Sequence, residues 1–128
     1  MTTPPPSSPG LLARLKGLLG GGGDGGRLPS TVDAARALEL VRDGASLLDV
    51  RERQEWKSGH APQAVHVPLA EVGEKAPRRL AKDKPVVVVC ASGARSRSGA
   101  KQLRGLGFDA TSLSGGMAAW QRAGGTVR

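Results

Sequence analysis

The sequence predicts an α/β protein, a three-layer α/β/α domain with a central, mainly parallel sheet of about five short strands. Short apolar segments alternate with helical segments from Leu28 onward. One of them, Pro85–Cys90, contains four consecutive valines, which is typical of a central parallel strand buried on both faces. Because 38% of the residues are hydrophobic and only 2% aromatic, the core has to be built from Leu, Val and Ala.

The first predicted elements are a very short strand around residues 27–28 and a helix that follows it. Ser30 and Asp33 have the spacing of a capping box, in which two side chains bond to free amides at the start of a helix. The helix is therefore predicted to begin there, to run to about Asp43 and to end at Gly44.

The remaining elements are predicted from short apolar runs and helical spacing. Segment 69–80 has a mixed pattern, and Pro77 is expected to break any long helix there. The others are strands at 46–50, 65–67, 85–90 and 110–113, helices at 97–106 and 116–122, and a helical turn at 52–57.

Residues 1–26 are predicted to be a disordered Pro/Gly-rich tail and linker, and residues 27–128 the folded domain. The leucines of segment 11–19 would line one face of a two-turn helix, which is too short to be stable alone. We expect disorder there, with a helix that docks on a membrane surface or a partner as the alternative. No apolar run approaches the ~20 residues of a transmembrane helix, and no signal peptide is expected.

The chain is basic, with 19 Lys and Arg against 11 Asp and Glu and a formal net charge of +8. This charge predicts either a solvated basic surface or a site for a small anion together with an acidic partner protein. Nucleic acid is not expected as a partner, because aromatic stacking platforms and runs of like charge are missing. The single cysteine excludes an intramolecular disulfide and a Cys-rich zinc site, and it predicts a reducing, cytoplasmic location.

The cysteine, Cys90, lies at the end of the most buried predicted strand, where ligands of open parallel sheets bind. A loop of small residues follows it and leads into a helix, so that several backbone N–H groups can point inward. Arg95 and Arg97 are expected at or near its mouth. The candidate binding residues of this loop are Ala91, Ser92, Gly93, Ala94, Arg95 and Ser96.

A thiol in such a loop should ionise readily, because inward amides, the helix end and nearby guanidinium groups all favour the thiolate. The thiolate is the nucleophilic form, and the same amides would bind a tetrahedral oxyanion or an anionic persulfide. The alternative is an inert cysteine buried at a strand end. The Gly and Arg that follow Cys90 favour the reactive interpretation.

Four fragments of the chain, in order, carry a family resemblance over residues 28–124. The pattern C-x-x-G-x-R-S is present in full at Cys90–Ser96. The others are Leu48–Arg51 with Glu55, Trp56, Gly59, His60, Pro62, Ala64, Val67 and Pro68, then Leu106–Phe108, then Leu113–Trp120. The chain thereby resembles the single-domain rhodaneses, which are thiosulfate-type sulfurtransferases. It departs from the family at Trp56, Gln63 and His66.

The resemblance implies that Cys90 attacks the outer sulfur of a small anionic donor and becomes a persulfide, with no cofactor. A thiol or a sulfur-carrier protein would then remove the sulfur. Arg95 would either contact the donor or pair with an acidic residue, while Asp49 and Arg51 would be supporting, more structural than catalytic. The six residues from Cys90 to Arg95 match the sulfurtransferases rather than the related phosphatases, whose loop is one residue longer.

Two classes of function remain open at this point: a sulfurtransferase, or a rhodanese-like binding or redox-sensing module with little turnover. Family modules that lose catalysis commonly lose the cysteine, and this chain retains it. His60 and His66 could act as a base or as metal ligands, but we expect them to pack. No third ligand has a recognisable spacing, so no metal is expected.

Overall fold

A computed structural model describes residues 27–128. Five strands form one sheet in the order β1-β5-β4-β2-β3, and every neighbouring pair is parallel. The strands are β1 Thr31–Val32, β2 Ser46–Asp49, β3 Val65–His66, β4 Val86–Val89 and β5 Ala110–Leu113. The helices are α1 Ala34–Arg42, α2 Arg53–Lys57, α3 Val72–Arg79, α4 Ala94–Gly105 and α5 Gly116–Arg122, with a 3₁₀ turn at Leu69–Glu71. The predicted fold class is confirmed.

The central strand β4 divides the hydrophobic core into two halves. Because side chains alternate along a strand, Val86 and Val88 face one half while Val87 and Val89 face the other, and all four are at most 1% exposed. Helices α3 and α4 cover the first face, and α1 and α5 cover the second. The valine run thus produces the three layers and fixes where β4 ends, directly before Cys90.

The first strand and the first helix begin later than predicted. Leu28 belongs to no strand; its N–H donates to the Asp109 carboxylate at 2.9 Å. Strand β1 instead pairs with the edge of β5, and α1 begins after Asp33, whose side chain accepts from Arg36 N–H at 2.9 Å. The predicted capping box at Ser30 is wrong, because residues 31–32 pair with the edge of β5 and are part of the sheet. The position of that edge depends on the tertiary structure, so the local sequence does not reveal it.

Pro77 does not break the helix that contains it. It lies inside α3, which ends two residues after it. A proline removes the hydrogen bond to the carbonyl four residues earlier, here that of Gly73. Because Gly73 is exposed, solvent can bond to that carbonyl, and a short helix tolerates the loss.

Within residues 27–128, no helix combines the length and the apolar character needed to cross a membrane. The predictions for the tail, including the leucine-rich segment 11–19, lie outside the described residues.

Candidate active site

The loop after β4 turns the chain from strand to helix within four residues, Cys90–Gly93. Gly93 has φ of +118°, a backbone conformation that favours glycine, and α4 begins at the next residue. The predicted helix start near Arg97 is therefore wrong by three residues. The early start brings the first turn of α4, and with it Ser96, next to the sulfur of Cys90.

The Cys90 sulfur accepts two backbone hydrogen bonds inside this loop. The N–H groups of Gly93 and Ser96 donate to Sγ at 3.0 and 3.2 Å, and Sγ lies 3.4 Å from Ser96 Oγ. Burial alone raises the pKa of the thiol. Hydrogen bonds from the Ser96 side chain and from the amides of Ser96, Gly93 and Ser92 outweigh burial, so the pKa of Cys90 lies below its usual value.

The sulfur itself is covered in this conformation of the loop. Cys90 has 0% exposure, whereas Ala91, Ser92 and Ala94 are exposed on the outer side of the loop. The amides that stabilise the thiolate also enclose it. Solvent therefore does not reach Sγ in this conformation of the loop.

Arg95 pairs with an acidic residue, one of the two roles that the sequence left open for it. Its Nη1 and Nη2 donate to the Glu55 carboxylate oxygens at 2.7 and 2.9 Å, and the two side chains are 33% and 35% exposed. The Arg95 side-chain hydrogen bonds lower the pKa of Glu55 to about 2, despite some burial. The pair is thus ionised throughout the neutral range and connects α2 to the loop.

Glu55 was not predicted as the acidic partner of Arg95. The two residues are 40 positions apart. The available clue was a second capping box, formed by Glu52 and Glu55 at the start of α2. That motif fixes the orientation of Glu55 toward the helix start, at the edge of the sheet where the loop of Cys90 also lies.

Asp49 and Arg51 form a second ion pair, behind the loop rather than in it. Asp49 is fully buried, and Arg51 donates to both of its carboxylate oxygens at 2.8–3.1 Å. Arg51 Nη2 also donates to the Gly59 carbonyl at 2.8 Å. The pair therefore connects the end of β2 to the turn after α2 and makes no hydrogen bond to Cys90.

Arg97 lies in the first turn of α4 with its side chain exposed. Its backbone N–H donates to the Gly93 carbonyl at 3.2 Å. Within residues 27–128 its guanidinium makes no hydrogen bond to the loop. The structure thus brings together Cys90, Ser92, Gly93, Arg95 and Ser96, and leaves the Arg97 side chain outside the group.

Both histidines stack on Trp56. The His60 ring centroid lies 3.5 Å from that of Trp56, and the His66 centroid 4.7 Å, with interplanar angles of 5° and 15°. His60 Nδ1 donates to the Trp56 carbonyl and His66 Nε2 to the Arg51 carbonyl, both at 2.8 Å. Both rings are therefore engaged in packing. Across residues 27–128, no group of three His, Cys, Asp or Glu side chains could hold a metal ion.

The start of α5 supports the loop from the other side. Met117 N–H donates to the Cys90 carbonyl at 3.0 Å. A Cβ on Gly116 would collide with the Ala91 carbonyl and lie 2.7 Å from the Cys90 carbonyl oxygen. The glycine lets the backbone of α5 approach the loop this closely. In the sequence this segment is recognisable only through the family resemblance of Leu113–Trp120.

An all-parallel sheet, a central strand that ends directly before one cysteine, and a loop with two amides that donate to that sulfur define an α/β protein with a cysteine at the carboxyl edge of its sheet. A family model described as "Rhodanese-like domain" matches residues 33–123. The chain belongs to the rhodanese-like domain family, as its motifs predict.

Named relatives and solved structures agree with this assignment. The chain is 40% identical over 87 residues to a thiosulfate sulfurtransferase GlpE of Pseudomonas syringae pv. syringae, covering 67% of this chain and 81% of the relative. It is 41% identical over 87 residues to a tRNA sulfurtransferase of Desulfurococcus amylolyticus, covering 68% of this chain and 17% of that protein. A rhodanese-related protein of Thermoplasma volcanium superposes with a TM-score of 0.69 at 31% identity, over 78% of this chain and 98% of that one.

The close approach of α5 gives a prediction for Gly116→Ala. The added methyl group has to displace the loop at Ala91, so we expect a loss of about 1–3 kcal/mol in the free energy of unfolding. Urea unfolding followed by circular dichroism measures it. Gly44→Ala is the matched control, because Gly44 also has a positive φ, of +110°, and nothing lies within 4 Å of its added Cβ. Equal stability of the two variants would contradict the close contact.

Proposed function

We propose that this protein moves a sulfane sulfur from a small anionic donor such as thiosulfate to a thiophilic acceptor, through a persulfide on Cys90. The observation that carries the proposal is the pair of amide hydrogen bonds to Sγ, at 3.0 and 3.2 Å. They favour the thiolate and would equally hold a second, anionic sulfur. The sulfurtransferase names of its relatives support the same class of reaction.

The reaction has two displacement steps that balance without an external oxidant. The Cys90 thiolate attacks the outer sulfur of thiosulfate, the donor's S–S bond breaks, and its electron pair leaves with sulfite. An acceptor nucleophile then attacks the terminal sulfur of the persulfide. The new bond forms on the acceptor, and Cys90 leaves as the thiolate, ready for the next donor.

The Glu55–Arg95 pair is a partly exposed charged pair at the end of the loop that contains Cys90. Both terminal nitrogens of Arg95 are bonded to Glu55, so the donor meets a pair whose charges largely cancel. The guanidinium attracts the donor's anionic group once the donor competes with Glu55 for it. Arg95 thus acts as a donor-binding residue, and Glu55 limits how strongly it attracts anions.

The acceptor in this proposal is a thiol or a sulfur-carrier protein. The basic balance of the chain, with a net charge of +8, favours an acidic surface on such a partner. We place the protein in the cytoplasm, because a single cysteine has to stay reduced in order to accept sulfur.

One observation favours a second candidate function, a binding or redox-sensing module with little turnover. Cys90 is fully buried, which would slow the attack of a donor if the loop stayed closed. The two candidates differ in whether a donor can load the sulfur.

Thiosulfate treatment distinguishes them. We expect the intact mass to rise by one sulfur atom, and cyanide to restore the original mass, because the persulfide is attacked by thiophiles. Cys90→Ser, which keeps the size of the side chain, should show no adduct. A folded wild-type protein that gains no mass under the same treatment would favour the binding module.

The lowered pKa of Cys90 predicts the pH dependence of loading. The thiolate is lost only as the pH falls through the lowered pKa, so the rate should already be level at pH values where an ordinary cysteine, with a pKa of about 8.5, is still ionising. Stopped-flow or quenched mass measurements across pH test this. A rate that keeps rising through pH ~8.5 would contradict a stabilised thiolate.

Paired substitutions test the roles of Arg95 and Glu55. Arg95→Ala should slow loading by thiosulfate about 10- to 100-fold, because a charge-assisted contact is lost and the Glu55 carboxylate then repels the donor. Glu55→Gln should load at least as fast as the wild type, because it removes the negative charge and leaves Arg95. Glu39→Gln, from the exposed Arg36–Glu39 pair, is the control. If thiosulfate loads Glu55→Gln as slowly as Arg95→Ala, the ion pair acts by holding the loop in its conformation, and Arg95 does not act by attracting the donor.

A further inference from the structure

A second buried hydroxyl lies behind the serine that contacts the sulfur. Ser112 of β5 is fully buried, and its Oγ lies 2.7 Å from Ser96 Oγ. Its partner in β4 is Val88, which belongs to the same half of the core as Cys90. Sγ, Ser96 Oγ and Ser112 Oγ therefore form a connected row from the loop into the sheet.

Each of the two serine hydroxyls has one proton, and this determines which of them donates in the hydrogen bond between them. Ser96 Oγ has three neighbours: Cys90 Sγ at 3.4 Å, the Gly93 carbonyl at 3.0 Å and Ser112 Oγ at 2.7 Å. If Ser96 donated its one proton to Ser112, the Ser112 proton would have no acceptor among residues 27–128. A buried donor without an acceptor is unfavourable. The arrangement that satisfies both hydroxyls has Ser112 donating to Ser96.

We propose that Ser112 is a positioning residue that acts on Cys90 through Ser96. It fixes the Ser96 oxygen near Sγ, and its donated hydrogen bond leaves the Ser96 proton free. That proton bonds to the Gly93 carbonyl while Cys90 is a thiol, and turns to Sγ when the thiolate forms. A hydroxyl that accepts one hydrogen bond is also a stronger donor of the next.

The turn of the Ser96 hydroxyl is possible because the Gly93 carbonyl has another donor. The backbone N–H of Arg97 bonds to it at 3.2 Å. When Ser96 turns to the sulfur, this carbonyl therefore keeps one hydrogen bond. Ser112 stays bonded to Ser96 in both states, so it stabilises the thiolate without touching the sulfur.

The neighbouring residue supplies a matched control. Thr111 is also fully buried in β5, and its hydroxyl has no hydrogen-bond partner within the described chain. Its partner in β4 is Val87, in the other half of the core. Thr111→Val removes a hydroxyl from the same strand without changing the row that ends at Cys90.

The test is the titration of the thiolate by its ultraviolet absorbance. The chain has one cysteine and no tyrosine, so the titration reports on Cys90 alone and needs no reagent to enter the closed loop. We expect Ser112→Ala to raise the pKa of Cys90 by about half a unit to one unit, the worth of one hydrogen bond. Thr111→Val should leave that pKa unchanged, and Ser112→Thr, which keeps the hydroxyl, should preserve it.

A double-mutant cycle tests whether Ser112 acts through Ser96. Ser96→Ala should raise the pKa of Cys90 further, and adding Ser112→Ala to it should produce no additional shift. An unchanged pKa in Ser112→Ala, or the same shift in the Ser96→Ala background, would overturn the proposal. If Ser112→Ala fails to fold by circular dichroism, Ser112→Val is compared with Ser112→Thr, because the two side chains have the same shape and differ in the hydroxyl. A higher pKa of Cys90 in Ser112→Val supports the proposal, and equal values in the two variants contradict it.

The proposal rests on the proposed function only for its biological use of the thiolate. Thiosulfate loading of the wild type is measured separately. A protein that takes up no sulfur but whose thiol pKa responds to Ser112→Ala disproves the sulfurtransferase reaction alone. A protein that takes up sulfur but whose Cys90 pKa is unchanged by Ser112→Ala disproves the positioning role alone.

Discussion

The hydrogen bonds from the Gly93 and Ser96 amides to the Cys90 sulfur are the interaction on which the site depends. A sulfur at the end of a central strand lies in the core, and burial by itself favours the neutral thiol. Donors from the loop and from the first turn of α4 reverse that preference. They converge on the sulfur because Gly93 lets α4 begin at Ala94, only four residues after Cys90. Burial and ionisation thus coexist at one atom.

The loop keeps this shape because other elements hold it on several sides. The start of α5 bonds to the Cys90 carbonyl and approaches so closely that only glycine fits at position 116. On another side Glu55 holds Arg95 with two hydrogen bonds. Behind both, the Asp49–Arg51 pair fixes the end of β2 relative to the turn that follows α2. The loop is therefore supported by contacts that are far apart in the sequence.

Local patterns predicted the parts of this structure that local physics determines. Four valines in a row specified β4 and its two buried faces, and small residues after Cys90 specified a tight loop. Strand β1 was misplaced because pairing with an open sheet edge overrode a plausible capping box. The contact between Glu55 and Arg95 joins residues 40 positions apart, and that between Ser96 and Ser112 joins residues 16 positions apart. The burial of the Cys90 sulfur depends on how the loop packs. No spacing rule in the sequence encodes such contacts.

The chain has two tryptophans, and the fold gives them different surroundings. Trp120 is fully buried beneath the C-terminal residues, with its indole N–H bonded to the Thr126 carbonyl at 3.0 Å. Trp56 is half-buried, stacks with two imidazoles and directly follows Glu55, the residue that pairs with Arg95. The protein thus carries an intrinsic fluorophore at its reactive edge and a shielded one elsewhere that serves as an internal reference.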